Sequence, residues 1–136
     1  MAKDVWLRRD IHPLGPYLCL CLSEAEYLAA IKRLKIKTND EWISGPIAEA
    51  TTHLCHAGNG DSAAIVCFNI DEGRDSIQAA GLLVHEAVHI WQQWKKDFGE
   101  KFPGDEQEAY AVQILSTTLM REYARRLNEK TNSKTN

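Results

Sequence analysis

The sequence predicts a single small α+β domain. Two observations carry that prediction. An apolar run, a capped helical segment and a hairpin pattern fill the first half of the chain, and two long helical patterns fill the second. The first of these long patterns contains His85-Glu86-Ala87-Val88-His89, an H-E-x-x-H motif. At 136 residues, 44% hydrophobic and 26% charged, the chain has the length and composition of one globular domain with its own core.

Residues 1–16 show no period and end in a Pro/Gly loop that contains His12, so they are expected to be an extension ahead of the domain. Tyr17-Leu18-Cys19-Leu20-Cys21-Leu22 is apolar throughout and reads as a buried strand. Ser23 with Glu26 three positions on is a capping box, which opens a helix to about Lys35. Tyr27, Leu28, Ile31 and Leu34 follow helical spacing along it, as in a helix packed behind a sheet. The segment 36–45 reads as a loop with at most a short helical turn, and Pro46 breaks the chain before Ile47.

Thr51-Thr52-His53-Leu54-Cys55 alternates and is rich in β-branched residues. The Gly58-Asn59-Gly60-Asp61 turn signal follows, then the apolar run 63–70, closed by Asp71-Glu72-Gly73. Together they predict a hairpin. Asp75, with Gln78 as box partner, opens a helix that runs to about Asp97 and ends at Gly99. Leu83, Ala87, Ile90 and Trp94 form its core strip, widened by Val84, Val88 and Trp91. After a turn at 101–104, a last helix runs from about Asp105 to Leu127. Its stripe is Val112, Leu115, Leu119 and Tyr123, flanked by Ala109, Met120 and Leu127. The polar tail 128–136 reads as disordered. The domain proper is therefore 17–127.

The chemistry concentrates in the first long helix. At ~100° per residue, His85 and His89 lie about 40° apart and one turn apart, so both imidazoles can hold one metal ion. Glu86 lies about 60° from His89 and can reach a metal-bound water as a general base. That is the donor set of a zinc hydrolase. Burying two histidines and a glutamate on a largely apolar helix is costly without such a partner.

A catalytic zinc takes three protein ligands. Glu108 opens the last helix in line with Val112 and Leu115, and its position favours it as the third. It also completes a capping box with Asp105, which is a purely structural alternative. Asp105 and Glu106 are the substitutes for it as ligand. Gln92, one turn past His89, lines the metal side or orients a ligand. Tyr110, Tyr123, His53 and His56 are the candidates for stabilising an oxyanion or touching substrate.

H-E-A-V-H, followed about twenty residues on by Glu-x-Glu-Ala-Tyr-Ala (106–111), resembles the glutamate-type zincin metallopeptidases, and most closely the minigluzincins. The order strand, helix, hairpin, helix, helix is similar to theirs from about Tyr17 to Leu127. The resemblance implies a zincin-like domain with a short mixed sheet, a backing helix, an active-site helix and a glutamate helix. It implies one Zn2+ ion on His85, His89 and Glu108, Glu86 as base, and a peptide or protein substrate. The stretch 85–92 also resembles a pattern of small phage or prophage proteins. The expected function is thus a zinc metallopeptidase. A catalytically silent structural or assembly protein, holding metal for stability, is the alternative, and a toxin-like or regulatory peptidase with one protein target is a third.

A net charge of -3 and a pI near 5.9 argue against a nucleic-acid platform. No apolar run spans a membrane, and residues 1–10 lack a signal peptide's apolar core, so a cytoplasmic protein is expected. Cys19, Cys21, Cys55 and Cys67 form no C-x-x-C pair and are expected as free, mainly buried thiols. His53-Leu54-Cys55-His56 lacks a companion cluster for a second metal site, because on a strand His56 points away from His53 and Cys55.

Overall fold

A computed structural model describes residues 5–8, 15–43, 49–70, 74–97, 99 and 104–135. His12, the break at Pro46, the turn at 71–73 and most of that at 101–104 lie outside the described residues. The elements are β1 (Leu7–Arg8), β2 (Tyr17–Cys21), α1 (Glu24–Leu34), β3 (Ala50–His56), β4 (Ser62–Phe68), α2 (Ser76–Asp97) and α3 (Asp105–Thr135). The four strands form one mixed sheet in the order β1-β2-β4-β3. The expected α+β class is borne out, with two long C-terminal helices packed together.

Strand alternation sorts the side chains into two layers. Leu18, Leu20, Ala64, Val66 and Phe68 face α2 and α3, where they meet Leu83, Ala87, Ile90, Trp91, Leu115 and Leu119. Cys19, Cys21, Ala63, Ile65 and Cys67 face α1 and meet Tyr27, Ala30 and Leu34. β2 and β4 are buried on both faces because each lies inside the sheet between helices. β2 pairs parallel to β4, with Cys21 opposite Cys67, and β3 pairs antiparallel to β4.

The ends predicted at Ser23, Asp75 and Gly99 form, but among the described residues the Asp75–Gln78 and Asp105–Glu108 boxes do not: Asp105 already lies inside α3, where the Glu108 amide donates to Gly104 O at 3.1 Å. Ser23 Oγ accepts from the Glu26 amide at 3.3 Å and donates to its carboxylate at 3.2 Å. Lys35 closes α1 in the left-handed region, at φ 55°. Asp75 Oδ1 accepts from the Ile77 amide at 2.9 Å, and Gly99 follows α2 at φ 78°. Ser23→Ala should lower stability by about 1 kcal/mol, read as a shifted denaturant midpoint at unchanged m-value. The hairpin tip rests on the end of α1, where the Gly58 amide donates to Leu34 O at 2.8 Å. A Cβ on Gly58 would lie 2.8 Å from Lys35 Cβ, so only glycine permits this approach.

Three expectations are corrected. The extension 1–16 contributes a strand, since Leu7 and Arg8 pair antiparallel with Cys19 and Leu18. The tail from 128 continues α3 to Thr135, so the helix outruns the apolar stripe that predicted it. Arg125 pairs with Glu129 one turn on, and pairs of this kind support a helix whose exposed end buries little. Ala109 is exposed, and Ala111 takes the buried place beside Leu115. Among the described residues, no helix is long and apolar enough to cross a membrane.

The four cysteines are free thiols, with Cys19, Cys21 and Cys67 buried and Cys55 half-buried. Cys19 and Cys21 Sγ are 3.7 Å apart. The contact with Cys21, together with burial, raises the pKa of both Cys19 and Cys67 and keeps these thiols protonated.

The tie between α1 and α3 is ionic. Arg126 contacts Glu26 at 2.5 Å and Glu122 at 3.8 Å. Both carboxylates are buried.

Candidate metal and hydrolytic site

β3 is an edge of the sheet, and it runs alongside α2. The amide of Ala57 donates to Asp61 O at 2.8 Å, which marks that pair as hydrogen-bonded. Antiparallel pairs alternate, so residues 55, 53 and 51 bond inward to β4. The backbone groups of Thr52, Leu54 and His56 then point to the outer edge. Among the described residues no strand pairs there. An open cleft of about 510 Å3 separates this edge from α2, lined by Thr52, Leu54, His85, Glu86, His89, Gln92 and Gln93 among others.

Helical spacing delivers the two histidines to the mouth of that cleft. Their Nε2 atoms are 3.2 Å apart, with the rings edge-on and centroids at 4.8 Å. Two imidazoles on a tetrahedral zinc, each at ~2.0–2.1 Å, would hold their nitrogens roughly 3.3 Å apart. The pair therefore fits two corners of such a site. His89 Nδ1 donates to Gln92 Oε1 at 3.1 Å, because an amide oxygen only accepts. That bond places the proton on Nδ1 and leaves the Nε2 lone pair for a metal. The expected orienting role of Gln92 thus has a geometric basis.

Glu86 is buried, 6% exposed, yet lines the cleft. Thr52 Oγ1 on β3 donates to its carboxylate. β3 and α2 are thus tied together at Glu86. Thr52 was not among the sequence candidates. Its only signal was its place in a β-branched alternating run.

Glu108 stands on the other flank. Its Oε2 accepts from Trp91 Nε1 at 2.9 Å. On α2, Glu86 projects ~100° to one side of His85 and Trp91 ~120° to the other. The histidine pair thus lies between β3 and the start of α3. Among the described residues, no three His, Cys, Asp or Glu side chains converge as a metal-ligand group. Asp105 and Glu106 are exposed in the same first turn as Glu108.

The remaining candidates scatter. His53 is on the α1 face, where its Nε2 donates to Trp42 O at 3.1 Å and its ring meets Tyr27 edge-on. The sheet separates it from the cleft. Tyr123 is buried against Phe68, with ring centroids 5.2 Å apart, and Tyr110 is 66% exposed; neither lines the cleft. His56 faces the α2 side, beyond Leu54, at the far end of β3. No family model, curated protein or solved structure matches the chain.

Proposed function

We propose that the protein is a zinc-dependent metallopeptidase of zincin type. The observation that carries the reading is the convergence of His85 and His89 Nε2 beside a buried Glu86 at the outer edge of β3, where no strand pairs among the described residues. His85 and His89 would hold the ion, with Glu108 as the third ligand, or Asp105 or Glu106 in its place. Bound zinc would supply a Lewis acid and lower the pKa of water from 15.7 toward ~7.

The chain's own residues do the rest. The outward groups of Thr52, Leu54 and His56 align an extended peptide by adding it to the sheet as a further strand. Glu86 accepts a proton from the attacking water and returns it to the leaving amine. Thr52 holds that carboxylate in place, and Gln92 holds the His89 ring.

Metal analysis tests the reading. Purified protein should carry one zinc per chain, and His85→Ala should lose it. Glu108→Gln separates ligand from partner, since glutamine still accepts from Trp91 but offers no charged oxygen. A ligand role predicts at least ~10-fold weaker zinc binding. Unchanged affinity would move the third position to Asp105 or Glu106. Protein that carries no stoichiometric zinc, and is indifferent to His85→Ala, sinks the proposal.

The competing reading is a silent structural or assembly protein that keeps the metal for stability. It is favoured by the Glu108–Trp91 bond, which engages the candidate third ligand elsewhere.

A further inference from the structure

A second recess opens at the far end of β3. It has a volume of about 130 Å3 and meets the larger cleft at Leu54 and Gln93, which line both. Ile90 and Trp94 on α2, with Leu54 on β3, give it apolar walls. Its polar end is Asp97. Ser62 Oγ donates to Asp97 Oδ2 at 3.1 Å, and Gln93 Nε2 donates to Oδ1 at 3.0 Å. Two neutral donors fix the carboxylate without cancelling its charge, and each oxygen keeps a lone pair. His56 and Cys55 are the other titratable residues that line it, and Lys96 lines the neighbouring cleft.

We propose that this recess binds the side chain of a substrate lysine or arginine, two to four residues upstream of the bond that is cleaved. The substrate is thereby narrowed to peptides with a basic residue on that side. The proposal rests on the peptidase reading for its direction. β3 runs from Thr52 beside Glu86 to His56 beside the recess, about 13 Å at ~3.3 Å per residue. Antiparallel pairing is the stronger arrangement, and it sets the amino-terminal part of a bound peptide at the His56 end. A long basic side chain buries its methylenes on Ile90 and Trp94 and brings its charge to Asp97.

The test uses the full chain as Glu86→Gln, loaded with zinc, and fluorescent peptides read by anisotropy. Paired peptides differ only by arginine against citrulline, or lysine against norleucine, at one upstream position. The charged member should bind about tenfold tighter at one position, and Asp97→Asn should erase that difference. Asp97→Lys should reverse it toward a glutamate peptide. Equal binding of paired peptides, a preference that survives Asp97→Asn, or no peptide binding overturns the recess.

Zinc content and hydrolysis by the unmodified chain are read on parallel samples. Cleavage without upstream preference leaves the peptidase standing and removes the recess. Asp97-dependent binding in a chain that neither holds zinc nor cleaves does the reverse.

Discussion

Glu86→Gln is expected to lower peptide hydrolysis by ~10²–10⁴-fold, the usual contribution of a positioned general base. Zinc content and thermal midpoint should stay near those of the unmodified chain. The substitution is nearly isosteric, and the new amide oxygen still accepts from Thr52 Oγ1. What disappears is the negative charge that takes up a proton, at a position where burial excludes a replacement from bulk water. Steady-state hydrolysis of a peptide library, with metal analysis on the same samples, measures both quantities. Equal rates for the two chains would remove Glu86 from the chemistry. A zinc-loaded chain that hydrolyses nothing, with or without Glu86, is the result the scaffold reading expects.

Arg126→Ala is expected to cost about 3 kcal/mol of stability. The guanidinium bridges α1 and α3 by meeting Glu26 and Glu122, which are 8% and 5% exposed. Removing it leaves two carboxylates out of water, and among the described residues Glu122 keeps the exposed Arg125 as its ion-pair partner. Arg126→Lys should recover part of the loss, because a point charge replaces a planar fork. The double variant Glu26→Gln, Arg126→Met should be more stable than Arg126→Ala, since an apolar replacement relieves the stranded charge. Urea unfolding checks the series, and an Arg126→Ala midpoint equal to that of the unmodified chain would show that the bridge contributes nothing.

The elements that could be read in advance were those with local punctuation. Ser23, Asp75 and Gly99 mark helix ends through their own hydrogen bonds or backbone angle, so a short window suffices to find them. The H-E-x-x-H spacing likewise fixes the meeting of His85 and His89, because one helix carries both.

Features decided between elements were not legible. β1 is two residues long and exists only through its pairing with β2. Period-2 alternation showed that His53 and His56 face opposite ways. It did not show which face receives α2, because the strands inside the sheet are apolar on both sides. Thr52 became the partner of Glu86 only when β3 took the edge place. Glu108 fitted both a cap and a ligand in the sequence, and neither reading foresaw that its carboxylate accepts from Trp91.

The bridge between Glu26 and Arg126 spans one hundred residues of chain. Its consequence concerns the order of events during synthesis. The motif helix is complete once Asp97 is made, but Leu83, Ala87 and Trp91 are covered only when Leu115 and Leu119 arrive. The bridge that fastens that cover closes later still. A ribosome therefore holds a chain with both histidines in place and an apolar flank bare until Leu115 and Leu119 emerge. The cover therefore arrives before its fastening, and a partly made chain carries the motif with its apolar flank bare.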